Sequence, residues 1–279
     1  MKTLGIVAGN GQMPLKVIEA CLKQKRPFFV MALKNQADPE LYKNIKNVEW
    51  FRVGQVGHMF KRAHFHSVSD VVMIGGVRRP SLSVCQLRPD FKTLMMLLKV
   101  GVKSLGDDGL LRTIISEVEK EGFHVVGADS ILGDTLAGAG VYGKVKPNKA
   151  ALKDIAKGFQ TAKALGRADV GQSVVVADGL VLAVEAIEGT DNLLLRSKGL
   201  ARSAVKPVLV KVKKPQQENR VDLPTIGVQT VKNAAKSGFA GIAVEKGSTF
   251  VVNKKEMVGA ADKLGLFVIG VDERCLNVK

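Results

Sequence analysis

Cysteine, histidine and the large aromatic residues are scarce in this sequence. Its 279 residues include 3 cysteines, 4 histidines, 1 tryptophan and 2 tyrosines. The cysteines are far apart and form no C-x-x-C pair, which argues against a disulfide framework and against a structural zinc site. The one close histidine pair, His64 and His66, lies in a segment expected to be a surface helix. A histidine metal centre is therefore not expected.

Long apolar runs are also missing. No stretch approaches the roughly 18 consecutive apolar residues that a membrane-spanning helix needs. The apolar run that follows Met1-Lys2-Thr3 is too short for a signal peptide. We therefore expect a cytoplasmic protein without a membrane span.

Acidic residues are outnumbered throughout the chain. There are 42 basic and 26 acidic side chains, a net charge of +16, with 19 basic and 12 acidic ones in residues 1–133. The excess is thus spread over both halves. Such a charge suits nucleic acid, an anionic lipid surface or a polyanionic small substrate. The scarcity of aromatic residues disfavours a protein that stacks single-stranded bases.

Residues 1–132 alternate short aliphatic strands with helices. This alternation predicts an α/β domain with a parallel, doubly wound sheet. The expected strands are Leu4–Ala8, Phe28–Leu33, Val48–Val53, Val71–Gly75 and Phe123–Gly127, and the expected helices are Met13–Gln24, Gln55–His66, Phe91–Val100 and Asp107–Glu121.

A glycine-containing stretch at residues 133–147 is expected to connect this domain to a second one at 148–279. The second domain is predicted to be α+β with a mixed sheet. It opens with a helix at Asn148–Leu165, and Asp178-Gly179 between alternating apolar runs predicts a hairpin. A second hairpin is expected around Lys246-Gly247.

Five short segments combine glycine or proline with polar or charged residues, as suits a main chain that approaches a phosphate. They are Gly9–Pro14, Gly75–Pro80, Lys103–Asp108, Glu185–Asp191 and Arg220–Gly227. Three lie in the front half and two in the back half. We therefore expect a phosphate-handling site built from both halves.

The first two segments are expected to meet at one edge of the front sheet. Gly9-Asn10-Gly11 follows the first strand and Gly75-Gly76 follows the fourth. In a 3-2-1-4-5 strand order these strands are neighbours at the switch point, where ligands bind. The helix that begins near Pro14 would offer its N-terminus to an anion. The first loop could equally be a tight structural turn, and Arg78-Arg79-Pro80 could be a solvated basic loop.

The first loop is not a dinucleotide fingerprint. Pro14 occupies the third glycine position, and Lys34 and Asn35 stand where a ribose-binding acid is usual. A nucleotide-dependent oxidoreductase is therefore disfavoured.

Several acidic residues are candidates for catalysis, each with a structural alternative. Asp107 begins a predicted helix, where the helix dipole alone favours acidic side chains. Lys103, four residues earlier, is either a phosphate ligand or the partner of Asp107. Asp191 and Thr190 could merely cap the helix that follows them.

Asp222 is the carboxylate most difficult to explain as structural. It directly precedes Leu223-Pro224, a rigid turn into a helix. A carboxylate held in this way suits metal ligation or the activation of water.

The ordered set of five segments resembles the UDP-2,3-diacylglucosamine pyrophosphatases of the LpxI type, from bacterial lipid A synthesis. The resemblance covers essentially the whole chain. It implies a Rossmann-like N-terminal domain, a distinct C-terminal domain and Mg²⁺-assisted hydrolysis to UMP and 2,3-diacylglucosamine 1-phosphate (lipid X). The family's essential aspartate, in an Arg-x-Asp-Leu-Pro motif, falls on Asp222.

The site that the resemblance implies draws on both halves. We expect Asp222 and Asp191 to be catalytic, and Asp222 and Glu185 to hold Mg²⁺. The expected substrate-binding residues are Gly9, Asn10, Gly11, Pro14, Gly75, Gly76, Arg79, Lys103, Asp107, Thr190 and Thr225.

The expected partners are UDP-2,3-diacylglucosamine and the anionic inner-membrane surface, with which the basic protein would associate peripherally. Nucleic acid is not expected, and the oligomeric state, a homodimer included, is open. The alternative function is non-catalytic binding of a nucleotide sugar or of nucleic acid.

Overall fold

The computed structural model describes residues 1–77, 88–100, 107–133, 135–201, 204–218, 220–221 and 223–276. The chain divides into two compact units. The first comprises Met1–Gly133 together with Glu218, Arg220 and Val221, and the second comprises most of the remainder. Within the described ranges, no helix is both long and apolar enough to cross a bilayer.

A five-stranded parallel sheet forms the centre of the first unit. Its strands are β1 Thr3–Ala8, β2 Phe28–Leu33, β3 Val48–Phe51, β4 Val68–Ile74 and β5 His124–Val125. Its helices are α1 Met13–Lys23, α2 Val56–Phe65, α3 Phe91–Val100, α4 Asp107–Lys120 and α5 Asp129–Leu132, with a 3-10 turn at Pro39–Tyr42. The strand order is β3-β2-β1-β4-β5, which confirms that β1 and β4 are neighbours.

Buried aliphatic strands account for this arrangement. Most residues of β1 and β2 are buried and the others are half-buried, as expected of parallel strands that are covered on both faces. Phe29 and Met31 of β2 face a core that also contains Met59 and Phe60 of α2 and Ile115 of α4. The carboxyl ends of β1 and β4 are thereby fixed side by side.

A six-stranded mixed sheet forms the centre of the second unit, with a separate pair formed by β10 and β12. The strands are β6 Gly140–Val141, β7 Ser173–Ala177, β8 Leu180–Val184, β9 Val208–Lys211, β10 Thr225–Ile226, β11 Gly241–Glu245, β12 Phe250–Val251 and β13 Phe267–Val271. The helices are α6 Lys149–Arg167, α7 Gly189–Arg196, α8 Val228–Lys236, α9 Lys254–Leu264 and α10 Glu273–Leu276. The sheet order is β6-β13-β11-β9-β7-β8, with β9, β11 and β13 parallel.

Period-two alternation gives this sheet an apolar core on each face. Val174 and Val176 of β7 pack in a cluster with Phe159 of α6. Val175, which lies between them, faces the opposite cluster, which contains Leu193 of α7. Because both faces are buried, a polar side chain on a central strand of this sheet needs an explanation.

One predicted hairpin of the second unit is confirmed and the other is wrong. β7 and β8 pair antiparallel through Asp178 and Gly179, whose φ angles of 53° and 72° suit a tight hairpin turn. Across Lys246-Gly247, however, β11 pairs in parallel with β9 and β13, whereas β12 pairs with β10. Lys246 and Gly247 do form a turn, with a φ of 68° at Gly247, but β10 and not β11 is the partner of β12.

The first unit contains a short segment from far along the chain, formed by Glu218, Arg220 and Val221 and called here the crossing segment. Val221 packs against the core that Phe29 helps to form. The Nη1 atom of Arg220 lies 2.6 Å from the Oε1 atom of Glu119 on α4. The polypeptide therefore leaves the first unit at Gly133 and later contributes these residues to it.

Candidate active site

The two glycine loops of the first unit are brought together, as the strand order predicts. The N–H of Asn10 donates to the carbonyl of Gly76 at 2.8 Å, and the N–H of Gly76 donates to the carbonyl of Asn10 at 3.0 Å. This reciprocal pair joins the loops directly after β1 and β4. The predicted residues Gly9, Asn10, Gly75 and Gly76 thus lie at one sheet edge.

Close backbone approach explains the glycine at position 9. A Cβ atom on Gly9 would lie 2.6 Å from the carbonyl oxygen of Gly76 and 2.9 Å from that of Gly75. Gly75 has a φ of +95°, a left-handed conformation that favours glycine. Both residues are therefore required by the loop pair itself, whether or not a ligand binds there.

Helix α1 begins directly beyond the first loop. Pro14 stands in its first turn, where the missing N–H removes no helical hydrogen bond, and no acidic side chain occupies that turn. Gln12, the N-cap residue, makes no side-chain cap, and Gly11 donates its N–H to the side chain of Asn10 at 2.7 Å. The helix start thus presents a partial positive charge next to the glycine loops.

A buried polar cluster lies in the second unit around Thr190, and we call it the Thr190 cluster. The Nζ atom of Lys211 lies 2.6 Å from the Oγ1 atom of Thr190, which lies 2.9 Å from Oε1 of Glu185. Ser173 Oγ is 3.4 Å from the same threonine oxygen. Lys211 and Glu185 are each only 6% exposed. Both side chains are thus held almost out of water.

The direction of these hydrogen bonds follows from the groups that make them. A lysine ammonium can only donate and an ionised carboxylate can only accept. Lys211 therefore donates to Thr190, and Thr190 donates its hydroxyl proton to Glu185. Within the described part of the chain, the other carboxylate oxygen of Glu185, Oε2, is buried and has no hydrogen-bond partner.

Asp191 has a different environment. Its Oδ1 atom accepts a hydrogen bond of 2.8 Å from the side-chain amide of Asn233 on α8. Helix α7 has Glu188 as its N-cap residue, without a side-chain capping bond. Capping by Thr190 or Asp191, the structural alternative for these residues, is therefore wrong.

The crossing segment carries a compact group of charges directly before Asp222 in sequence. Arg220 Nε lies 3.0 Å from Oε1 of Glu218, in addition to its contact with Glu119. The side-chain hydrogen bond from Arg220 lowers the pKa of Glu218, and the same bond raises the pKa of Arg220. Arg220 is thus held on two sides by carboxylates.

Of the remaining predicted site residues, Thr225 is described in full and Asp107 by its backbone alone. Arg79, Lys103 and Asp222 lie outside the described residues. Asp107 is the first residue of α4, as expected from its position, but its side chain is also outside the description. Thr225 lies in β10, and its hydroxyl donates to the carbonyl of Leu223 at 3.4 Å.

The predicted magnesium site requires hard oxygen donors. No group of three or more His, Cys, Asp or Glu side chains in the described ranges is arranged to hold a metal ion. The free, buried Oε2 atom of Glu185 is nevertheless a hard oxygen donor. Magnesium is commonly held by one or two carboxylates and by substrate phosphates. Glu185 therefore supplies one carboxylate oxygen of the kind that Mg²⁺ takes in such sites.

Lys211 is the site residue that the sequence analysis missed. A signal was available, because Lys211 interrupts the apolar run Val208–Val212 of a buried strand. A charged residue on such a strand is seldom fully buried without a partner. Asn233 and Glu119 were also missed, and as single polar residues on helices they carry no pattern.

Comparisons with known proteins cover both halves of the chain. Residues 3–135 match the LpxI N-terminal domain, and residues 138–269 match the LpxI C-terminal domain. The chain is 42% identical over 282 residues to the UDP-2,3-diacylglucosamine pyrophosphatase LpxI of Caulobacter vibrioides, covering 98% of each protein.

Similarity to solved structures is much weaker. The Bordetella bronchiseptica enzyme WbmG in complex with NAD and UDP aligns over 96% of this chain and 81% of its own, with 12% identity and a TM-score of 0.35. The UDP-glucose 4-epimerase of Thermus thermophilus aligns over 98% and 91%, with 13% identity and a TM-score of 0.33. No conclusion is drawn from scores this low.

Proposed function

The chain belongs to the LpxI family of UDP-2,3-diacylglucosamine pyrophosphatases, and from this premise we propose how its residues carry out the reaction. The protein is a hydrolase that cleaves the pyrophosphate of UDP-2,3-diacylglucosamine in lipid A biosynthesis. The identity of 42% over nearly the whole of both chains carries this assignment. The products are UMP and 2,3-diacylglucosamine 1-phosphate.

We propose that Asp222 is the catalytic carboxylate. In the reaction, a water oxygen bonds to one phosphorus while the bridging oxygen leaves with its electron pair on the other phosphate. Asp222 accepts a proton from the attacking water. Support comes from the crossing segment, because Arg220, two residues before Asp222, is fixed between Glu218 and Glu119. A positioned base of this kind typically contributes about 10²–10⁴-fold to the rate.

The Thr190 cluster serves as the positioning element of the second unit. Lys211 fixes the hydroxyl of Thr190, and Thr190 fixes Glu185 with Oε2 left free. Asp222 and Glu185 would hold Mg²⁺, which neutralises charge on the phosphate oxygens when bound. Asp191, oriented by Asn233, lies on the same helix as Thr190 and assists as the second catalytic carboxylate.

In the first unit, the paired glycine loops bind the phosphates of the substrate. The support is their backbone pairing and the adjoining start of α1, which carries no acidic side chain in its first turn. Main-chain N–H groups and a helix N-terminus favour a bound anion. Arg79, Lys103 and Asp107 are proposed to contact the same nucleotide portion.

We also propose that the protein is cytoplasmic and binds the inner membrane peripherally. A substrate with two acyl chains resides in a bilayer, and a net charge of +16 favours an anionic surface. The competing function, binding of a nucleotide sugar without catalysis, predicts that the substrate is bound and recovered intact.

The test is release of UMP from UDP-2,3-diacylglucosamine by the purified protein with Mg²⁺. We expect Asp222→Asn to lower turnover by at least about 100-fold, because the amide cannot accept the proton of the attacking water. Thermal unfolding of the variant should match the wild-type protein. Near-wild-type turnover by Asp222→Asn would remove Asp222 from the mechanism.

A chelator arm tests the metal separately. Removal of divalent cations should abolish UMP release, and Mg²⁺ should restore it, because the proposed ligands are hard oxygen donors. An unchanged rate in excess chelator would contradict the metal proposal and leave the hydrolase activity in place.

A further inference from the structure

Helix α3 of the first unit exposes an apolar face. Phe91, Leu94, Met95 and Leu98 are 79%, 40%, 41% and 61% exposed. Their spacing of i, i+3, i+4 and i+7 places them in one stripe that is roughly 100° wide around the helix. We call these four residues the α3 stripe. Four large apolar side chains in one stripe differ from the single exposed ones that are normal on protein surfaces.

The opposite side of α3 is firmly attached to the first unit. Thr93 and Met96 are each 5% exposed, and the hydroxyl of Thr93 donates to the carbonyl of Gly54 at 2.9 Å. Asp90, directly before the helix, accepts hydrogen bonds from the N–H of Thr93 at 2.9 Å and from that of His58 at 3.1 Å. The helix therefore cannot bury the stripe by rotating, since rotation would break these contacts.

The sequence around the stripe is strongly basic. Between positions 78 and 103 there are six basic residues and one acidic residue. Of the basic ones, Lys92 is paired with Glu121. An apolar helix face within a basic stretch is the combination that binds an anionic lipid surface.

We propose that the α3 stripe inserts into the interfacial region of an anionic bilayer and holds the enzyme where its substrate is embedded. This inference rests on the proposed function, which requires access to a diacylated substrate. A convex helix face suits a bilayer, whereas an acyl chain bound by protein requires a groove that encloses it. The charge of the surrounding sequence favours lipid over a second, equally basic copy of the chain.

The experiment measures sedimentation of the full-length protein with phosphatidylglycerol–phosphatidylethanolamine vesicles and with phosphatidylcholine vesicles. The test variant is Phe91→Ser/Leu98→Ser. Its matched control is Phe65→Ser/Leu22→Ser, because Phe65 is 72% and Leu22 is 61% exposed on other helices of the same unit. Thermal unfolding establishes that both variants are folded.

We expect the wild-type protein to bind the anionic vesicles and to bind phosphatidylcholine much more weakly. The stripe variant should bind the anionic vesicles at least about tenfold more weakly, because two apolar side chains no longer leave water. The control variant should bind as the wild-type protein does. Equal binding by the stripe variant, or an equal loss in both variants, would overturn the proposal.

Two further measurements test whether the α3 stripe instead binds the acyl chains of the substrate or a second copy of the protein. A raised KM of the stripe variant for detergent-dispersed substrate would show that the stripe holds acyl chains, against the proposal. Loss of a wild-type dimer in ultracentrifugation of the stripe variant would show that it contacts a second copy, also against it. If the wild-type protein does not hydrolyse the dispersed substrate, the proposed function fails, while the vesicle comparison still decides the docking inference.

Discussion

Thr190 joins the two buried charges of the second unit. Its hydroxyl accepts from Lys211 and donates to Glu185, at 2.6 Å and 2.9 Å. Each of these groups is almost out of water, so each loses a bond that solvent cannot replace if the hydroxyl is removed. The stability of the site and its geometry therefore depend on one oxygen atom.

Thr190→Val tests this dependence, because valine keeps the shape and removes the hydroxyl. We expect the free energy of unfolding to fall by about 1–3 kcal/mol, since a buried donor and a buried acceptor are left unsatisfied. UMP release should fall as well, because Glu185 is no longer oriented. Urea unfolding and the UMP assay measure the two effects.

Thr190→Ser is the matched control, since it retains the hydroxyl and loses only a methyl group. It should stay within about 1 kcal/mol of the wild-type protein. If Thr190→Val is as stable and as active as Thr190→Ser, the Thr190 cluster does not position Glu185.

Among individual site residues, the sequence predicts those in loops better than those in strands. The polar segment beside Gly189 predicts Glu185 and Thr190 as site residues, and the structure brings them into contact. Lys211 completes the same cluster from a buried strand of the sheet. Its position opposite Ser173 depends on strand register, which the local sequence does not specify.

Among the structural elements, the paired glycine loops are determined by backbone contact. A Cβ atom on Gly9 would collide with the carbonyl oxygens of Gly75 and Gly76. A Cβ atom on Gly76, by contrast, would meet no atom of the described chain within 4 Å. Two glycines of one loop pair should therefore respond differently to the same substitution.

Gly9→Ala should lower the free energy of unfolding by about 1–3 kcal/mol, because the two loops must move apart to admit the methyl group. Gly76→Ala should change it by less than about 0.5 kcal/mol, as for substitutions away from tight contacts. Urea unfolding of both variants is the measurement. Equal effects would show that the loops are looser than their hydrogen bonds indicate.

The elements of the first unit could be predicted because their signals are local. The buried strand β1 is followed by a glycine loop and then by a helix of 3.6-residue period, so β1, α1 and β2 follow directly from the sequence. The two-residue strand β10 was not predicted, and β12 was expected only as the second strand of a hairpin with β11. Elements this short carry no periodicity, and their pairing depends on contacts between distant parts of the chain.

For the whole molecule, the sequence predicts two halves but not the way the chain passes between the units. The alternation of strands and helices indicates where the first unit ends, near Gly133. It does not indicate that Val221 returns to the first core, because a single valine among polar residues has no pattern. The crossing segment is visible only in the structure.

A fragment of residues 1–133 should therefore be less stable than the same fragment fused through a flexible linker to residues 216–224. The fused version regains the packing of Val221 and the pair between Arg220 and Glu119. A gain of roughly 1 kcal/mol corresponds to partial burial of one such side chain. Chemical denaturation of both fragments measures it, and equal midpoints would mean that the crossing segment adds nothing to the first unit.

The crossing segment also sets an order of events during protein synthesis. Roughly 90 residues separate Gly133 from Val221, and at about 5–20 residues per second a ribosome needs roughly 4–18 s to translate them. Throughout that interval the nascent first unit lacks Val221, which packs against its core. Completion of the N-terminal unit therefore waits until Val221 has been translated. Until then, chaperones would encounter a nascent chain whose first unit still lacks one of its packing residues.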